Sequence, residues 1–132
     1  MAQTITINSR SRTDFKDITS DVSNVLPSSF DGVCHVFCLH TTAGLTINEN
    51  ADPDVVRDIQ ICLERLVPWT DSAYRHMEGN SAAHVKSSLM GPALTIPVED
   101  GRLVLGTWQS IYFCEFDGPR SRRVDVRCIA EN

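Results

Sequence analysis

An α+β fold in a single domain is what this sequence predicts, on three observations. Apolar side chains alternate at period two towards both ends of the 132 residues and recur at helical spacing in between. No repeat, low-complexity tract or linker-like run marks a second domain, so one domain spans 1–132. A composition of 42% hydrophobic and 22% charged residues suffices to bury a core without disulfides or a structural metal. Strands first, two helices in the middle and a strand cluster last, an antiparallel meander, give the order of such a fold.

The opening Thr4-Ile5-Thr6-Ile7-Asn8 alternates as a half-buried strand does. Ile18, Val22, Val25 and Leu26 share a face at helical spacing, which predicts a short helix from Ile18 to Leu26, closed by Pro27. Gly32 to His40, GVCHVFCLH, reads as a strand covered on both faces, with His35 a buried structural residue. The clearest helix runs from Pro53 to Val67. Asp52 is its N-cap, Pro53 takes the position where a missing N–H costs nothing, and Pro68 stops it. Val55, Val56, Ile59, Cys62, Leu63 and Leu66 form its expected buried stripe. A second helix from Asn80 or Ser81 to Gly91 is expected to turn Val85 and Leu89 inward and to carry His84 on its first turns. Strands then follow at Leu94–Val98, Leu103–Leu105, Ile111–Phe116 and Val124–Ile129, with turns at Glu99-Asp100-Gly101 and Asp117-Gly118-Pro119.

Twelve basic against seventeen acidic residues, a net charge of −5, repel a phosphate backbone and argue against nucleic acid as a partner. No apolar run approaches the roughly 20 residues of a membrane helix and no signal-peptide pattern opens the chain, so a cytoplasmic protein is expected. The five cysteines lack a CxxC pair and read as small packing groups.

Chemistry concentrates in a few segments. His40, His76 and His84 stand at a strand end, in a polar loop and on the first turns of a helix. Three converging imidazoles would hold a zinc ion and leave one position open. Glu49 lies on a strand-to-helix loop, where a general acid or base belongs, whereas capping alone accounts for Asp52. Gly106-Thr107-Trp108-Gln109 spends an aromatic, a hydroxyl and an amide between two apolar strands. Arg120, Arg122 and Arg123 place guanidinium groups at a turn of an acidic protein. Arg120 follows a proline and is the better anion-binding candidate; Arg122 and Arg123 also fit a solvated turn.

Taken in order, HTTAGLTINENADPDVVRD, HMEGNSAAHVKSSLMG and DGRLVLGTWQSIYFCEFDGPRSRR closely resemble the YjbQ family, described as secondary thiamine-phosphate synthases, over about Thr4 to Glu131. The resemblance implies a compact α+β domain with a large antiparallel sheet beside the two main helices, assembled as a homotrimer or a multiple of it. The implied activity joins a pyrimidine diphosphate to a thiazole phosphate with release of pyrophosphate. Carried over residue by residue, the pattern falls on His40, Thr41, Glu49, Asp58, His76, Glu78, Asn80, His84, Gly106, Trp108, Gln109, Asp117 and Arg120. Ala82 departs from it, since relatives often have Asp there.

The resulting expectation is a metal-assisted transferase. His40, His76 and His84 hold a divalent cation, zinc or, with a diphosphate substrate, magnesium. Glu49, His76 and Asp58 are catalytic, and Thr41, Asn80, Trp108, Gln109 and Arg120 bind the phosphorylated heterocycle. A metal-dependent hydrolase and a non-catalytic trimeric binding protein for a small anion are the rival readings. Apolar residues on both sides of Ile111–Phe116 further predict an oligomer with active sites near subunit boundaries.

Overall fold

The computed structural model describes residues 2–131. Its elements are β1 (Ala2–Asn8), β2 (Asp14–Asp17), α1 (Thr19–Ser23), β3 (Gly32–Cys38), β4 (Ala43–Glu49), α2 (Pro53–Leu66), α3 (Ser81–Met90), β5 (Ala93–Glu99), β6 (Arg102–Leu103), β7 (Gln109–Glu115) and β8 (Ser121–Ala130). The strands are antiparallel throughout and curl into a five-stranded sheet, β1-β8-β3-β5-β6, and a three-stranded sheet, β2-β7-β4.

β7 shows why the molecule has three layers. Its alternate residues Ile111 and Phe113 enter a core shared with Val36, Ile96, Val124 and Val126 of the larger sheet. Tyr112 and Cys114, one step out of phase, join Phe116 in a second core under Leu63 of α2 and Ala83 of α3. Larger sheet, smaller sheet and the pair α2 and α3 therefore stack in that order, while Val22 of α1 enters the core between the sheets. Both faces of β7 are satisfied within one chain, so the apolar pattern that predicted an oligomer has an internal explanation. Phe37 and Ile129, on the outer face of the larger sheet, are the large apolar groups left open there, 39% and 61% exposed.

Several expectations are revised. The helix expected over Ile18–Leu26 is only Thr19–Ser23, although Val25 and Leu26 still reach the core. The predicted strand Leu103–Leu105 shrinks to Arg102–Leu103, and His35 is half-buried against Thr95 Oγ1 at 3.2 Å rather than in the core. α2 is capped by the Asp52 carboxylate, which accepts from Asp54 N–H at 2.9 Å, but Cys62 and Leu66 of its expected stripe are exposed. α3 turns Ala82, Ala83, Lys86 and Ser87 inward and leaves Val85 and Leu89 outside. Backbone proximity is the cause. A Cβ added at Gly44 of β4 would lie 2.9 Å from Met90 Cβ and 3.0 Å from Gly91 O, so α3 runs too near the sheet for branched side chains between them. The buried Lys86 ammonium is met by the Glu64 carboxylate of α2, which ties the two helices together. No helix among the described residues is long and apolar enough to cross a membrane.

Candidate functional site

The site lies where β3 ends and β8 begins. Beyond β3, Leu39 N–H donates to Arg123 O at 3.4 Å, continuing the ladder, and Arg123 N–H donates to His40 Nε2 at 2.8 Å. An imidazole accepting at Nε2 is neutral with its proton on Nδ1. Burial, followed by the positive charge of Arg122, holds its pKa below the ordinary histidine value.

The next residues are fixed by α3 and β8. Thr41 O accepts from Ser87 Oγ at 2.6 Å, and Thr42 Oγ1 accepts from Arg122 Nη2 at 2.8 Å. Asn80 O receives Ala83 N–H at 3.0 Å as α3 begins, which sets the Asn80 side chain at the mouth of the site. Its Nδ2 donates to Asp117 Oδ2 at 2.9 Å and to Glu78 Oε2 at 3.3 Å, so two carboxylates converge on one amide. Its Oδ1 is buried without a partner. Asp117 also orients Arg120, whose Nε donates to Asp117 O at 2.9 Å and whose Nη2 donates to Asp117 Oδ2 at 3.1 Å.

Behind this wall sits an ion pair that links the two sheets. Arg122, 3% exposed, alternates with Val124 and Val126 on the inner face of β8, and Glu115 follows Ile111 and Phe113 on the inner face of β7. Arg122 donates to Glu115 through Nε at 2.8 Å and through Nη2, in the forked geometry that suits a carboxylate. Burial alone would raise the Glu115 carboxyl. Hydrogen bonds from Arg122, Asp117 N–H and Ser9 Oγ outweigh it and hold the group below the usual carboxylate range.

His40, Thr41, Asn80, His84 and Arg120 thus line one polar cavity of about 360 Å³, together with Glu78, Asp117 and Arg122. These predicted residues come together. His76 stands on the far side of His84, ring centroids 5.3 Å apart and edge to face, in an adjoining cavity with Ser81 and Val85. Its Nε2 lies 4.0 Å from Glu78 Oε1. In a single chain the three histidines do not form a ligand set: the Nε2 of His40 is already engaged, and no group of three or more His, Cys, Asp or Glu side chains among the described residues is placed to hold a metal ion.

Other candidates lie elsewhere. Glu49 closes the opposite end of β4, about 20 Å from Ala43 at a strand rise of roughly 3.3 Å per residue. There it pairs in register with Gln109 and accepts Asp52 N–H at 3.3 Å. Gln109 Oε1 accepts Gly106 N–H at 2.7 Å and so closes its own loop, while Trp108 is 63% exposed. Asp58 is exposed on α2, bonded to Arg57, beside a cavity formed with Val55, Ile59 and Cys62. Thr42, Glu115 and Ser9 were not anticipated, and Arg122 is buried where a solvated turn was an open reading. The legible signal was Glu115 itself, a charge inside the apolar run Ile111–Phe116, which needs a buried partner.

With this geometry established, comparison with known proteins is informative. A family model described as UPF0047 protein YjbQ-like matches residues 3–131. The chain belongs to the YjbQ/UPF0047 family. It is 51% identical over 131 residues to the UPF0047 protein YugU of Bacillus subtilis, covering 98% of this chain and 99% of that one. Among solved structures, a YjbQ/UPF0047 family protein of Clostridium acetobutylicum superposes with a TM-score of 0.91 at 51% identity, covering 96% of this chain and 99% of that one. A conserved hypothetical protein of Thermus thermophilus gives 0.92 at 42% identity with the same coverage. The three-layer arrangement is therefore also that of YjbQ relatives.

Proposed function

We propose that this YjbQ-family domain is a cytoplasmic transferase for phosphorylated heterocycles, with thiamine-phosphate synthase activity that joins a pyrimidine diphosphate to a thiazole phosphate and releases pyrophosphate. The supporting observation is the polar cavity between His40, Asn80, His84 and Arg120, which gathers an oriented guanidinium, two carboxylates and two imidazoles. Asp117 fixes Arg120 through Nε and one terminal nitrogen, and the remaining guanidinium N–H groups are the donors for phosphate oxygens as the leaving group gains charge. Glu78 and Asp117 form an acceptor wall suited to the ring or amino N–H groups of a pyrimidine. Neutral His40 can accept a proton only by giving up its bond from Arg123 N–H, so it acts as a polar contact rather than a base.

The charge of the wall bears on the implied cation. Arg122 is neutralised by Glu115, which leaves two carboxylates beside Arg120. A diphosphate needs more positive charge than this wall supplies, which favours a divalent cation that arrives with the substrate over a resident three-histidine zinc. In the homotrimer that the resemblance implies, Glu49, Trp108 and Gln109 would serve the reaction only by reaching this cavity from a neighbouring subunit.

The test combines protein, pyrimidine diphosphate and thiazole phosphate, with and without magnesium or zinc, and follows thiamine phosphate and pyrophosphate by mass spectrometry. Both products in equal amounts, suppressed at least tenfold in Arg120→Lys, are expected. Phosphate release without coupling would make the protein a hydrolase, and tight binding without turnover would make it a binding protein.

A further inference from the structure

The cysteines are buried packing groups at Cys34, Cys38 and Cys114, but the register of β3 on β8 gives one of them a second role. Cys34 and Cys128 are directly opposed across these adjacent antiparallel strands. Both face inward, since Cys34 is in phase with buried Val36 and Cys38, and Cys128 with buried Val124 and Val126. At the two ends of the ladder, Leu39 N–H donates to Arg123 O and Glu131 N–H donates to Asp31 O. Hydrogen-bonded pairs therefore fall on the odd-numbered residues of β3, and Cys34–Cys128 is a non-hydrogen-bonded pair. Such pairs bring Cα atoms to about 4.5 Å, inside the range of about 4.4–6.8 Å that a disulfide spans.

The two thiols differ in access. Cys34 is fully buried, and burial, then the neighbouring Cys128, pushes its thiol up to about 12. Cys128 is only half-buried, so a small reagent in solution meets it first.

We propose that Cys34 and Cys128 form a redox-responsive pair that closes to an intrachain disulfide in the presence of a low-molecular-weight disulfide such as oxidised glutathione. The Cys128 thiolate attacks one reagent sulfur, the reagent S–S bond breaks, and one reduced thiol leaves and takes up a proton. Cys34 gives up its proton and attacks the Cys128 sulfur of the mixed disulfide, releasing the second reagent thiol. Two protein thiols are oxidised, and one reagent disulfide is reduced to two thiols. The staple joins β3 to β8, the strands that lead to His40 and carry Arg122, at the end away from the cavity. It restrains the frame of the site without using any side chain in it.

Purified protein is equilibrated with oxidised glutathione, quenched, alkylated under denaturing conditions and analysed by mass spectrometry. Loss of the Cys34 and Cys128 thiols, a mass before alkylation about 2 Da below the reduced chain once any glutathione on exposed Cys62 is discounted, and a peptide linking Cys34 to Cys128 are expected, reversed by dithiothreitol. The oxidised protein should also melt at a higher temperature than the reduced one. Cys34→Ala, which keeps the buried position apolar, should retain glutathione on Cys128, whereas Cys62→Ser, which removes the exposed thiol that the reagent also reaches, should still close the Cys34–Cys128 bond with no adduct left. A stable mixed disulfide on wild-type Cys128, thiol loss at Cys62 alone, or five free thiols after oxidation would each overturn the proposal.

Discussion

The two ends of the β4–β7 ladder are built differently. Where Ala43 faces Glu115, the side chains are bonded across long stretches of sequence: Ser9 to Glu115 over 106 residues, Arg122 to Thr42 over 80, Asn80 to Asp117 over 37. Where Glu49 faces Gln109, the carboxylate and the amide each bond three residues away, to Asp52 and Gly106. Long-range bonds exist only once the sheets have closed on one another. The side chains of the His40–Arg120 end are therefore set by the whole fold. At the other end Tyr112 Oη still donates to Glu49 O at 3.1 Å and Asn50 bonds Asp17, but the Glu49 and Gln109 side chains themselves are held locally and Trp108 stands open to solvent. A site that must hold charged substrate in fixed geometry belongs at the first end, and a surface that completes something else is more readily built at the second.

Breaking the long-range end should have the largest effect. Arg122→Ala leaves the Glu115 carboxylate buried without its cation, and chemical denaturation should show a loss of about 3–5 kcal/mol. Glu49→Gln, the matching change at the open end, should stay within about 0.5 kcal/mol. Equal losses at the two ends would dissolve the distinction.

Ligand binding should separate the ends next. Arg120→Lys keeps the charge but loses the fork, so calorimetry with magnesium pyrophosphate should read affinity about tenfold weaker, roughly 1.4 kcal/mol. Trp108→Ala should leave that affinity unchanged in protein held as a single chain. In an oligomer, reduced turnover in Trp108→Ala with binding retained would show that the open end serves a neighbour's cavity.

Acidification offers a finer probe. Folded His40 titrates below the ordinary value of 6.5, so between the two values the native state binds fewer protons than the unfolded chain. Its contribution to stability is fully present above about 6.5 and lost as pH falls through the folded value. Proton-detected titration should place the His40 midpoint below 6.5, and His40→Gln should flatten the stability profile in this window. A midpoint at or above 6.5 would mean that burial and the charge of Arg122 do not govern this ring in solution. A small loss of stability is expected for Gln109→Ala. It removes one partly solvated bond to Gly106 N–H, and thermal melting should detect about 1 kcal/mol or less.

The sequence announced the residue types of the organised end through their chemistry: histidines at a strand end and a helix start, an asparagine before a helix, an arginine after a proline. It concealed Arg122, because a run of Arg120, Ser121, Arg122 and Arg123 reads equally as a solvated turn. Only the inward phase of β8 separates Arg122 from its neighbours. It also misdirected α3, where Val85 and Leu89 look like the buried face. The approach permitted by Gly44 instead selects Ala82, Ala83 and Ser87. β2, four residues with the sequence Asp-Phe-Lys-Asp, carries too little apolar pattern to be read as a strand and exists through its pairing with β7. Three-dimensional placement is what divides the family-pattern residues between two ends, and linear spacing carries no trace of that division.

The central claim, that the phosphate-binding centre is the cavity of His40, Asn80 and Arg120, is tested most directly by titrating magnesium pyrophosphate into isotope-labelled protein and mapping the backbone amide shifts. Saturable shifts confined to residues 39–42, 78–84 and 117–123 are the predicted result. Saturable shifts centred on residues 106–110, or none at millimolar pyrophosphate, would contradict it.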